Sequence, residues 1–472
     1  MRQDALHFSF TGKLVVLGFG SIGQAIFPLV FRHLGVKPAS VTIVKTCADR
    51  SGIAQALGVE VIANAIHESN CARVLAPLLA EGDFLLNLSV DVSSLALIEL
   101  CRQRRVLYLD TCNEPWRGRY DNPALSPSQR SNYALREEVL ALQRRVRSGP
   151  TAIITQGANP GLVSSLLKQA LLNMADDAQL NARVPDRSEE WAELARRLSI
   201  KVIHVAERDT QMGSQRKSRD EFVNTWSTGA FIDEGLQPAE LGWGSHEKHW
   251  PGDASRHGSG CDAAVYLNRP GFDTRVRSWT PLEGAHHGFL VTHAESISIA
   301  DHLTLRENGA IAYRPTVLYA YHPCDDAVLS VHEIAGKNWK AQHHRRILRG
   351  EITSGVDELG VLLMGNAKGA YWHGSRLSIE QARALAPYNN ATSLQVAAGI
   401  LGGMVWAMRH PAAGLVEPDD IDHETVLTVA KPYLGEVVGV YENWTPLQGR
   451  TSLFGEALDQ EDPWQFLNFR VN

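Results

Sequence analysis

Residues 13–23, KLVVLGFGSIG, constrain this chain more than any other stretch. The apolar run at 13–17 has the pattern of a buried strand, and it passes directly into Gly18, Gly20 and Gly23 at the spacing G-x-G-x-x-G. Residues 24–34 then read as a helix with an apolar face, broken in pattern only by Pro28, and VTIV at 41–44 supplies a second strand. Glycines alone would fit an ordinary turn. Between a strand and a helix they fit a dinucleotide. Gly18 permits the tight turn, Gly20 lets a pyrophosphate approach the backbone, and Gly23 lets helix and strand pack closely. The phosphates then lie at the helix N-terminus, which brings Ser21 and Ile22 of the same turn to the cofactor.

Strand and helix patterns keep alternating, with strands at 59–62, 84–90, 106–110 and 152–155 and helices at 70–79 and 93–102. This predicts an α/β domain with a doubly wound parallel sheet, whose ligands gather beyond the C-terminal strand ends. Those ends carry Ser89 and Asp91 after one strand, Asp110, Thr111 and Glu114 after the next, and Asn159 in the turn QGANPG after the last. Each acid alone would fit a helix cap or a turn. Repeated at successive strand ends, they suggest a site, with Ser89, Asp110, Thr111 and Asn159 on the cofactor side. Where such a fold usually carries an acid for the ribose hydroxyls, this chain has Lys45. Asp49 could reach back, or Lys45 could favour a 2′-phosphate, so this feature leaves NAD and NADP both open.

At 472 residues the chain exceeds one ordinary core. A Rossmann domain over 1–156 is expected, with a returning helix at 390–408 as a candidate to complete it. A second α+β domain with a mostly antiparallel sheet, for substrate binding and oligomerisation, is expected over 157–389, and a segment at 390–472 packing back on the first domain. In the middle, strands are predicted at 201–207, 289–292, 311–313 and 317–321, while 236–244 (LQPAELGWG) reads as turn-rich. The formal net charge of −6 gives no broad basic field for nucleic acid. The longest weakly polar run, 396–408, is shorter than a membrane span needs, and the N-terminal residues show no secretory pattern. Six cysteines without C-x-x-C spacing predict neither a disulfide framework nor a metal site, and a reduced, cytoplasmic protein.

A nicotinamide-type fold beside acidic strand ends suggests hydride transfer at a carbon bearing an amine. Carboxylates would hold a cation, and Trp226 could offer it an aromatic face worth roughly 0.5–2 kcal/mol. Core packing is the plainer role for Trp226, and a structural role the plainer one for His293 at the end of a predicted strand.

The sequence also contains NLSVD at 87–91, EPW at 114–116, GANPG at 157–161, IHVAERDTQ at 203–211, FVNTWS at 222–227, EGLQPAELGWG at 234–244 and FLVTHAESISIAD at 289–301. With SNYALRE at 131–137, RVRSWTP at 275–281 and ELGVLLMG at 358–365, these motifs resemble the bacterial homospermidine synthases along nearly the whole chain. That family is similar in architecture to saccharopine dehydrogenase-like enzymes. The resemblance implies that two putrescines give homospermidine and ammonia, with bound NAD taking a hydride from the first amine and returning it after imine exchange. It implies that Trp226 faces the cationic substrate and imine, and that Glu207 binds the reacting amine and moves its proton. Asp91, Glu114 and Glu234 would anchor ammonium groups, with Asn159 and His293 as further pocket residues. It also implies a homodimer or higher homo-oligomer acting on putrescine and related diamines, and it favours NAD over NADP. Two other readings remain: a net NAD(P)-dependent dehydrogenase of the saccharopine or carboxyspermidine type, and a nicotinamide-binding regulatory protein without catalysis.

Overall fold

The computed structural model describes residues 5–49, 51–146, 148–180, 182–450 and 455–471. The apolar run forms β1 (Leu14–Leu17), buried along its whole length, and leads into α1 (Ser21–His33). α1 continues through Pro28, because Ile26, Phe27, Leu29 and Val30 are fully buried and hold it in place despite the missing backbone donor. The chain then lays down β2 (Val41–Lys45), β3 (Glu60–Ala63), β4 (Phe84–Asn87), α2 (Ser94–Arg104), β5 (Leu107–Asp110), α3 (Asn132–Arg145), β6 (Ala152–Ile153) and α4 (Leu162–Asp177). The helix expected over 70–79 is shorter: α-helix spans Cys71–Leu75 and gives way to a 3-10 turn at Ala76–Leu78, where Pro77 cannot continue the α-helical ladder.

The second half builds β7 (Val202–Asp209), α5 (Thr228–Leu236), β8 (Pro238–Gly242), β9 (Ala264–Pro270), β10 (Gly284–Leu290), α6 (Ala294–His302), β11 (Thr316–His322), β12 (Val356–Asn366) and β13 (Gly369–Ser378). β8 occupies the stretch that reads as turn-rich. Its residues 239–242 are buried between β9 and α6, so tertiary burial overrides local composition. The last quarter adds α7 (Ala391–Arg409), β14 (Leu415–Val416), α8 (His423–Ala430) and β15 (Glu436–Glu442).

Among the described residues, seven strands form a parallel sheet in the order β3-β2-β1-β4-β5-β6-β14, and eleven form a second, mixed sheet. In the second, β7 runs parallel to β11 and antiparallel to β12, and the other strand pairings among the described residues are antiparallel. α7 is long and apolar enough to cross a membrane, yet 94% of its most apolar stretch is buried inside the protein, against α1 and α8. The expected C-terminal segment 390–472 therefore divides. Its first part covers the parallel sheet and donates β14, whereas β15 pairs with β13 and Arg470–Val471 pairs with Arg275–Thr280 in the second sheet. Residues 436–442 are nowhere fully buried, and the edge of β13 satisfies their backbone groups.

Candidate active site

The C-terminal ends of β1, β2, β4 and β5 open onto a cavity of about 610 Å³ that the second sheet closes from the other side. At its nucleotide end, Gly18 has φ +87°, and a Cβ there would stand 2.5 Å from the Leu88 carbonyl oxygen, while a Cβ on Gly23 would stand 2.8 Å from the Gly18 oxygen. At Gly20, by contrast, nothing lies within 4 Å of the place a Cβ would take. The first turn of α1 has no acidic side chain and its N-cap no side-chain cap, so its N–H groups face the cavity open to an anion. The donor set and the open space at Gly20 therefore fit a pyrophosphate, with Ser21, Ile22 and Gly23 in the lining.

Ser89, Thr111 and Asn159 also line the cavity. Asp110 does not. It is completely buried beneath the floor, where it accepts hydrogen bonds from the Thr155 backbone N–H at 2.6 Å and from Tyr108 Oη at 2.7 Å. Its expected cofactor contact is corrected to a structural one: this acid ties β5 to the turn that presents Asn159. Asp49 does not reach back either, because its carboxylate caps the backbone N–H groups of Ser51 and Ala54. Lys45 lines the cavity, 3.7 Å from Asp49.

At the opposite end, β7 delivers Glu207, 2% exposed, into the cavity. Its Oε2 accepts hydrogen bonds from Asn159 Nδ2 and from Tyr319 Oη, each at 2.6 Å. Burial raises its pKa, these two donors and His293 oppose the rise, and the balance is about 7. Trp226 lines the same cavity, with its indole packed on Phe231 at a ring-centroid distance of 5.5 Å and its Nε1 donating to Tyr321 Oη at 3.0 Å.

A third side of the cavity is acidic. Asp91, with φ +63°, stands at the mouth 3.4 Å from Arg117 Nε, and its backbone N–H donates to Glu114 Oε2 at 3.3 Å. Burial raises the Glu114 pKa to about 8, and Glu234, Asp233 and Asp91 add to the rise against that one donor. His293 sits 3.3 Å from Glu234 Oε2 and 3.1 Å from Glu295 Oε1. Burial disfavours its charge, but Glu295 and Glu234 outweigh burial and hold it at about 10, so it is an imidazolium donating to both acids.

Sequence comparison supplies the family. Residues 14–153 match the saccharopine dehydrogenase NADP binding domain and residues 157–440 the saccharopine dehydrogenase C-terminal domain. A homospermidine synthase from Blastochloris viridis is 53% identical over 475 residues, covering 100% of both chains. One from Mesorhizobium japonicum is 48% identical, covering 98% of this chain and 96% of that one. The chain belongs to the homospermidine synthase family. The crystal structure of the Legionella pneumophila homospermidine synthase in complex with NAD superposes with a TM-score of 0.93 at 51% identity, covering 98% of each chain.

In this homospermidine synthase fold the cavity gathers Asp91, Glu114, Asn159, Glu207, Trp226, Glu234 and His293, along with the glycine turn, Ser89 and Thr111. The arrangement can bind a dication, take a proton at Glu207 and shield a cationic carbon with an indole. Sequence reasoning missed Tyr319, Tyr321 and Thr392. In VLYAYH the two tyrosines alternate like ordinary core aromatics, and their one available signal was the polar tip that a buried tyrosine must satisfy.

Proposed function

We propose that the protein converts two putrescines to homospermidine and ammonia, with NAD held by the Gly18–Gly23 turn in the same cavity. The observation that carries this reading is the placement of Glu207 and Trp226 opposite that turn, inside a wall of carboxylates. NAD bound there supplies the oxidant that removes a hydride from the carbon bearing the first amine and the reductant that gives it back.

The side chains account for the rest. Asp91, Glu114 and Glu234 offer negative charge to the ammonium groups of a diamine, which is a dication at neutral pH. An amine releases hydride from its α-carbon only when deprotonated, and Glu207, with a pKa near 7, is matched to accept that proton. The Trp226 face stabilises the imine cation and keeps water from it, assisted by closure of the cavity between the two sheets. His293 carries a positive charge between Glu234 and Glu295, so it orients Glu234 rather than accepting protons itself.

A net dehydrogenase acting on an amino acid would need cations for a substrate carboxylate. Among the described lining residues the cations are Lys45, Arg117 and the charged His293, and each already pairs with acids: Asp49, Asp91, and Glu234 with Glu295, respectively. This supports a diamine. Incubation with putrescine and a trace of NAD tests the choice. Homospermidine and ammonia together, far in excess of NAD, are expected; product limited to the NAD supplied means a net dehydrogenase. A homo-oligomer and a cytoplasmic location belong to the same reading, the first from the family resemblance and the second supported by six free cysteines. Light scattering on the purified protein checks the first.

A further inference from the structure

Behind Glu207 lies a pair of acids that this chemistry leaves unused. Asp209, two residues along β7, shares the Glu207 face of the strand, and Asp357 of β12 is its direct partner across the antiparallel pair. Both are 0% exposed. Asp209 accepts hydrogen bonds from the Gln211 backbone N–H at 2.8 Å, Gln211 Nε2 at 3.1 Å and Thr225 Oγ1 at 2.7 Å. Asp357 Oδ2 accepts one from Thr392 Oγ1, while its Oδ1 is buried with no hydrogen-bond partner.

The charged and titratable groups that act on the pair are Glu207 on its own face of β7, Tyr321 of β11 and Cys324 just beyond it, and, from the opposite face of the two strands, Arg208 and Glu358. The first turn of α7, which covers the pair, contributes no charge of its own. Arg208 spends its hydrogen bonds on the Asp209 and Pro323 carbonyls and on Asp325 rather than on either carboxylate of the pair. Two buried carboxyls that face each other across neighbouring strands do not both ionise, so the pair carries a proton on one of them. Burial, then Glu207 and Asp209, push Asp357 far above the ordinary carboxyl range.

Thr392 connects this pair to the cavity. Its hydroxyl donates to Asp357, accepts from Gln211 Nε2 at 3.0 Å, and belongs to a residue that lines the same cavity as Glu207 and Trp226. The proposed reaction has a use for such a link. Each of the two reacting ammonium groups gives up one proton, one before hydride leaves its carbon and the other before its nitrogen attacks the imine. One proton returns with the departing ammonia as ammonium, and the other to the secondary amine once hydride has come back. Two protons are thus held at once, and Glu207 has room for one.

Resting on the function proposed above, we propose that the Asp209–Asp357 pair stores the second proton and exchanges it with the cavity through the Thr392 hydroxyl. The pair already carries one proton, so it accepts a second by becoming neutral and returns it to the product amine.

The test uses the full-length enzyme with Thr392→Val, Thr392→Ser and Asp357→Asn, measuring kcat and KM for putrescine from about pH 6 to 10 and NAD affinity by titration. Thr392→Val is expected to lower kcat by roughly tenfold or more and to alter its pH profile, with KM and NAD affinity changed by less than about twofold. Thr392→Ser, which keeps the hydroxyl, is expected to stay within roughly threefold of wild type, and Asp357→Asn to reproduce the loss seen with valine. A valine variant as active as wild type overturns the relay. So does a serine variant as impaired as valine, because then the methyl group and its packing matter. If the valine variant fails to bind NAD, Asp357→Asn decides: lost turnover with NAD binding intact supports the relay, and full turnover overturns it. A wild-type enzyme that makes no homospermidine defeats the reading of function itself, whereas loss confined to the variants concerns the relay.

Discussion

Trp226 donates its indole N–H to Tyr321 Oη across 3.0 Å, so the orientation of the aromatic face depends on a residue 95 positions further along the chain. Tyr321 is completely buried on β11 and cannot follow the indole if it turns. Replacing Tyr321 by Phe leaves the indole donor without that partner. We expect kcat/KM for putrescine to fall about fivefold, in line with one hydrogen bond of about 1 kcal/mol, with NAD affinity unchanged. An unaltered kcat/KM would mean that packing on Phe231 holds the indole by itself.

Glu207 must be ionised to accept a proton, and its pKa lies near 7. Turnover is therefore expected to rise as pH increases through that value and to level off above it. Glu207→Gln should lower kcat by about 10²–10⁴ and remove the rise. A glutamine variant that retains both turnover and the pH limb would assign proton acceptance elsewhere.

Glu114, with a pKa near 8, is largely protonated at neutral pH when no cation faces it. A diammonium ligand favours the ionised form, so binding should expel a proton, and putrescine should bind more tightly as pH rises from about 6 to 8. Calorimetry in two buffers of different ionisation enthalpy measures the release directly. Glu114→Gln should abolish it. Equal heats for the wild type in both buffers would rule the idea out.

The glycine turn separates binding from folding. A side chain at Gly20 meets open space, so Gly20→Val should leave the melting temperature nearly unchanged while weakening NAD binding by about tenfold or more, or about 1.4 kcal/mol. At Gly18, where a Cβ would meet the Leu88 carbonyl, Gly18→Ala should destabilise the fold. Thermal melts beside NAD titrations distinguish the two.

Arg136, 5% exposed, joins three segments far apart in sequence: α3 through itself, Glu417 through bonds of 2.6 and 2.7 Å, and Asp301 at 2.9 Å. Arg136→Met leaves two acids without their cation, one of them buried. A loss of about 3–5 kcal/mol is expected by chemical denaturation, with little change in the pH dependence of turnover.

Much of the nucleotide half was legible because its information is local. Gly18 and Gly23 are required by close backbone approach and Gly20 by the space a pyrophosphate needs, all within six residues, and the strand that precedes them declares itself by apolar content. Asp110 misled for a related reason. An acid at the end of a Rossmann strand points to a ligand on average, but here the Thr155 N–H and Tyr108 hydroxyl claim its carboxylate, and neither partner can be read from the strand itself. The stretch 236–244 misled through composition, since its Gly and Pro read as turns until burial under α6 is taken into account.

The sequence by itself determined the parallel nucleotide-binding sheet, the family, and the residues that bring charge and an aromatic face to the cavity, because each is written in short motifs or in periodicity. Only the tertiary structure decided which of those groups share one cavity and in what state. The pairing of Glu207 with Asn159 and Tyr319, the positive charge on His293, and the buried meeting of Asp209 with Asp357 all arise between segments dozens to hundreds of residues apart. Burial and neighbouring charge set a side chain's protonation, and both are properties of what packs around it rather than of what precedes it in the chain.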